Sequence, residues 1–150
     1  MALPRDWKEF IELLNSRLLE YVVVGAVAVS DHAYRRNTGD LDVLIRPSLD
    51  NARRLASVMD EFGFRSLGLR AEDFIEPGKF IRLGFPPRGI DLLNQVSGVD
   101  FVEIWEGRVI AEVDGVAVTL IGREALIKNK RAAGRDKDRG DLRMLGVASE

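Results

Sequence analysis

Asp40-Leu41-Asp42 sets two carboxylates one residue apart at the start of a short apolar run that Pro47 closes. Side chains alternate along a strand, so Asp40 and Asp42 project from one face while Leu41 and Val43 point into a core. Adjacent carboxylates repel and raise each other's pKa, and a divalent cation offsets that repulsion. Paired acids together with substrate phosphates are a common way to hold Mg²⁺. The same pair also occurs as plain surface acids, so a second feature has to decide. Gly25 supplies it: the run Tyr21–Val24 ends in a glycine ahead of a helix, which leaves free amides where phosphate binds well. Asp91, between Ile90 and Leu92, adds a third acid on the face opposite its apolar neighbours. If its strand lies beside that of Asp40, three carboxylates converge next to a phosphate cradle. That is the chemistry of metal-assisted phosphoryl or nucleotidyl transfer.

Composition narrows the alternatives. There is no cysteine, hence no disulfide frame, thiol nucleophile or thiolate metal site, and the single histidine, His32, excludes sites that need two. The longest apolar run, Tyr21 to Val29, is too short to span a bilayer, and the segment from Met1 to Lys8 lacks the apolar core of a secretory signal. The expectation is one domain over residues 1–150, cytoplasmic and without a membrane partner. Net charge is −2, but the stretch from Arg123 to Arg143 carries +4 and the remainder −6. A local basic segment on an acidic body suits a few bound phosphates better than a long nucleic-acid track, and a solvated helix pair would read the same way.

The elements that must position these residues follow from periodicity. Trp7, Phe10, Ile11, Leu14 and Leu18 predict an amphipathic helix over 7–19, with Asp6 and Glu9 at capping-box spacing. Strand 21–24, helix 26–34 and strand 41–45 come next, then a helix capped by Ser48 and ended by Gly63. Residues 65–79 read as irregular. Phe80–Phe85 and Ile90–Leu93 form strands joined by the four-residue loop Pro86–Gly89, and a short helix is expected near Asp100–Trp105. Strands 108–113 and 116–120 flank Asp114-Gly115, the strongest hairpin signal in the chain. Helices 123–133 and 136–146 break near Gly134. The order predicts a mixed α/β (α+β) domain: a short mixed sheet with helices packed against it.

Taken together, Tyr21 to Ile45 (YVVVGAVAVSDHAYRRNTGDLDVLI) resembles the signature of the polymerase-β-type nucleotidyltransferase superfamily, in particular small stand-alone members related to AbiEii-type toxins of toxin–antitoxin systems. Gly25, Ala28, His32, Arg36, Thr38, Asp40 and Asp42 carry the match. A second block, ALIKNKRAAGRDKDRGDLRML, is similar to that group's ending through Lys130, Arg135, Lys137, Asp138 and Asp141. The resemblance implies the nucleotidyltransferase fold and transfer of NMP from an NTP, ATP included, to an acceptor hydroxyl with release of pyrophosphate. It implies two Mg²⁺ (or Mn²⁺) ions on Asp40 and Asp42, with Asp91 ligating the ion that activates the acceptor and helping to remove its proton. Gly25 and Ala26 would cradle phosphates, Arg36 and Lys130 would supply positive charge, and Thr38 would position the acids.

The sequence departs from that pattern at two places. Ala26 stands where the family has a second Gly or a Ser, and Ala33 replaces the Gly after His32. Ala26 keeps its amide but adds a methyl group, which motivates an alternative: a catalytically weakened nucleotide-binding or partner-binding module on the same fold. His32 reads as a hydrogen-bonded spacer. Arg135, Lys137 and Asp138 read as helix-surface pairs, and the tryptophans and phenylalanines as packing. The acceptor is open: a small hydroxylated molecule, an RNA end or a protein hydroxyl, alone or with a partner subunit.

Overall fold

A computed structural model describes residues 3–32, 39–64, 68–84 and 88–147. In chain order its elements are α1 (Arg5–Ser16), β1 (Tyr21–Val24), α2 (Gly25–His32), β2 (Asp40–Ile45), α3 (Leu49–Glu61), a 3-10 turn (Ala71–Phe74), β3 (Phe80–Leu83) and β4 (Gly89–Leu93). They continue with α4 (Phe101–Glu106), β5 (Val109–Val113), β6 (Val116–Leu120), α5 (Arg123–Ala133) and α6 (Asp136–Met144). The strands form one mixed sheet in the order β3-β4-β2-β1-β6-β5. β1 runs antiparallel to β2 and parallel to β6, while β2 runs parallel to β4.

The apolar pattern accounts for most of this. All four residues of β1 are buried, as expected of a central strand covered on both faces. β2 alternates instead, with Leu41 and Val43 fully buried and Asp40 and Asp42 only partly so. Trp7, Phe10, Ile11 and Leu14 line the buried side of α1. Ser48 caps α3 as expected, its hydroxyl accepting from the Asn51 amide at 3.3 Å. Asp114 and Gly115 both take positive φ, as a tight hairpin requires.

Three local expectations are corrected. α1 begins after Pro4, and Asp6 does not cap it; Glu9 pairs with Arg5 at 3.0 Å instead. α1 also stops at Ser16, because Leu18 adopts a left-handed conformation and points to solvent while Leu19 turns inward. Finally, β3 and β4 pair up to Leu83 and Ile90, so residues 84–89 separate the last paired positions. A four-residue loop would have set Arg82 opposite Leu93; the observed register sets it opposite Asp91. The segment expected to be irregular contains the 3-10 turn, whose Phe74 is buried.

Candidate active site

β2 and β4 lie side by side in parallel, with Asp42 directly opposite Asp91. Asp40, Asp42 and Asp91 therefore share one face of the sheet, as the sequence made conditional on strand neighbourhood. They stand at the floor of a pocket of about 590 Å³. Gly25 and Ala26 contribute one edge, Phe80, Arg82, Leu93 and Val96 another, and Asn129, Lys130, Arg135 and Lys137 the wall from α5 and α6.

Gly25 is there for a steric reason. Its φ is +71°, a conformation that costs other residues, and a Cβ there would fall inside the Asp42 carboxylate. Only glycine lets the turn from β1 into α2 pass this close to the acid. Gly98 plays a similar part where the loop after β4 meets α5: a Cβ there would collide with that of Ala132. The Asn129 amide, donating to the Ser97 carbonyl at 2.9 Å, ties the same loop to α5.

The electrostatics of the floor are unbalanced. Burial pushes the Asp42 carboxyl up, and the charge of Asp91, a hydrogen bond with Asp91 and the charge of Asp40 push it further, to about 7. Lys137, on the wall above, pulls the other way. Asp91 is 4% exposed and grips Arg82 in a two-pronged contact: Nε to Oδ1 at 2.8 Å and Nη2 to Oδ2 at 3.1 Å. The same Nη2 lies 3.9 Å from Asp40 Oδ2. Asp40 Oδ1 is buried without a hydrogen-bond partner among the described residues. An orphaned buried carboxylate oxygen next to an acid held up at about 7 fits a donor set for a divalent cation. Asp40 and Asp42 could supply that set. Among the described residues, no three His, Asp or Glu side chains are grouped so as to hold one ion.

Lys130 lines the pocket, but its ammonium is buried and held by Asp138 Oδ1 and Asp141 Oδ2, each at 3.1 Å. Arg135 adds bonds to Asp138 from Nε at 2.7 Å and from its own backbone amide at 3.1 Å. Burial pushes the Asp138 carboxyl up, yet hydrogen bonds from Arg135 and Lys130 outweigh it and hold the group below its ordinary value. Asp138 is thus no surface partner: it is fully buried and joins α5 to α6. Lys137 is exposed on this wall, as is Arg135, whose guanidinium is turned to Asp138. His32 is the spacer expected of it, with Nε2 lying 2.7 Å from the Ile121 carbonyl oxygen. Arg36, Thr38 and Ala33 lie outside the described residues.

Sequence reasoning missed Arg82, Phe80 and the part played by Lys137. Arg82 lies directly opposite Asp91 only through the β3–β4 register, which the Pro-Pro loop disguised. Phe80 is not packing: it is half exposed at the pocket rim, with the Arg82 guanidinium 5.5 Å from its ring centre.

No helix among the described residues is long and apolar enough to cross a membrane. No protein-family model matches the chain, and no curated protein matches it. Among solved structures, the chain is similar to a candidate nucleotidyltransferase from Thermotoga maritima at 13% identity, with a TM-score of 0.65 over 93% of this chain and 89% of that one. The chain therefore has a nucleotidyltransferase-like fold: a six-stranded mixed sheet with helices.

Proposed function

We propose that this protein is a nucleotidyltransferase that moves NMP from an NTP to an acceptor hydroxyl and releases pyrophosphate. The observation that carries the reading is the unbalanced acid face: Asp40, Asp42 and Asp91 on adjacent strands, under a wall bearing Lys137 and Arg135. A divalent cation held by Asp40 and Asp42 would neutralise the acids and stabilise charge on the transferred phosphate. The chain's own residues do the rest. Gly25 gives the NTP's phosphates close approach to the backbone, with Ala26 keeping its amide there. Lys137 offers the phosphates a charge-assisted contact, while Lys130 keeps the wall in place through Asp138 and Asp141. Arg36 and Thr38 belong to the same reading as phosphate ligand and support of the acids. The tail from Lys130 to Asp141 supports kinship with the AbiEii-type enzymes, and a pocket of about 590 Å³ suits a nucleotide with a small acceptor or one presented by a partner subunit.

One observation favours a second reading, a nucleotide-binding module without turnover: both oxygens of Asp91, the acid assigned to the acceptor's proton, are engaged by Arg82. Incubation with each labelled NTP and Mg²⁺ or Mn²⁺, against RNA, cell extract and small hydroxylated compounds, separates the two. Pyrophosphate release with a labelled product that disappears in Asp42→Asn is the expected result. Saturable NTP binding with no pyrophosphate would establish the module instead.

A further inference from the structure

The acid face contains a cation of its own. β3 is an edge strand, and its register sets Arg82 directly across from Asp91. The Asp91 side chain is almost fully buried, whereas that of Arg82 is 48% exposed, so the guanidinium covers the acid from the solvent side. Both carboxylate oxygens are taken in fork geometry, among the stronger side-chain contacts available to a protein. Opening this fork would leave a buried carboxylate unpaired, which is costly. The Arg82 guanidinium also reaches toward Asp40, at 3.9 Å, and lies near the Phe80 ring at the pocket rim.

We propose that Arg82 is the resident counter-ion of the acid face, so that Asp91 positions this guanidinium and the site takes one divalent cation, between Asp40 and Asp42. The inference rests on the metal-dependent reading above and departs from the two ions that the family resemblance implies. A cation on Asp91 would have to displace a two-pronged guanidinium. A cation on Asp40 and Asp42 would not, because the Asp40 Oδ1 atom has no partner among the described residues. Arg82 lines the pocket with donors beyond the two engaged by Asp91, and these suit the oxygens of a transferred phosphate. Arg82 then supplies at a fixed point the positive charge that a second ion would otherwise bring.

Counting bound Mn²⁺ on the full chain by electron paramagnetic resonance, without nucleotide, tests this. Wild type and Asp91→Asn should each bind one ion, with dissociation constants within about threefold of each other, while Asp42→Asn should weaken binding by at least about tenfold. Arg82→Met, which frees Asp91, should bind a second ion. Should Arg82→Met fail to fold, Arg82→Gln replaces it, and Asp91→Asn decides by itself. Two ions on wild type, one of them lost in Asp91→Asn, would overturn the counter-ion assignment and leave the metal-dependent reading standing. No ion on any variant would overturn both. An ion on Arg82→Met but none on wild type would support the counter-ion role while removing the metal from the native site.

Discussion

Two carboxylate clusters flank the same pocket and behave in opposite ways. Between α5 and α6, Asp138 and Asp141 meet Lys130 and Arg135, and Asp138 is held below its ordinary value in spite of its burial. On the β2–β4 face, one guanidinium serves three carboxylates, touching Asp91 and reaching Asp40 at 3.9 Å, and Asp42 is pushed up to about 7. Desolvation pushes both Asp42 and Asp138 up, so it does not make the difference. The number of cations within reach does. A matched cluster ties two helices together; an unmatched one leaves negative charge on the sheet face, which a bound cation would compensate.

The largest effect should come from breaking the matched cluster. Asp138→Ala strands Lys130 and Arg135 without their shared partner, and urea unfolding should show a loss of about 3–5 kcal/mol. A loss under about 1 kcal/mol would erase the contrast between the clusters.

Relieving the unmatched cluster should act with the opposite sign. The pKa of Asp42 lies above its ordinary 3.8 in the folded chain, so folding takes up its proton. Its contribution to stability is therefore fully present below about pH 4 and is lost as pH rises through about 7. Asp42→Asn removes that decline. Without metal it should be more stable than wild type by about 1–3 kcal/mol at pH 8, with the two curves converging near pH 4. Chemical denaturation across that range measures the gap, and a gap independent of pH would mean that Asp42 is an ordinary surface acid.

The smallest effect sharpens the division of labour on the shared wall. Lys137→Ala should weaken NTP binding several-fold, about 0.5–1 kcal/mol, whereas Arg139→Ala should not, since Arg139 is turned to Asp136 and the Gly134 carbonyl. Titration calorimetry compares them. Equal affinities would take Lys137 out of the phosphate contact.

Much of this architecture was legible before the structure. The limits of β1, β6 and α5 follow from apolar periodicity, the start of α3 from Ser48, and the β5–β6 turn from Asp114-Gly115. Helix ends were less so: Leu18 continues the periodic pattern of α1, yet the chain turns there by taking a left-handed conformation that sequence pattern does not announce. The roles of the tail cations were partly hidden for a related reason. Lys130 and Lys137 are both lysines on amphipathic helices, and only the packing of α5 on α6 buries one against Asp138 and Asp141 while leaving the other over the pocket.

The sequence by itself determined what depends on neighbours along the chain. Alternation puts Asp40 and Asp42 on one face, and a glycine after Val24 marks the tight passage into α2. Only the tertiary structure decided that β4 lies in parallel beside β2, which brings Asp91 to Asp42, and that β3 pairs with β4 in the register that hands Asp91 to Arg82. The reason is physical. Strand order and register are set by which faces bury together across the whole sheet, and a shift of two residues keeps every apolar side chain on its face while giving each acid a different partner.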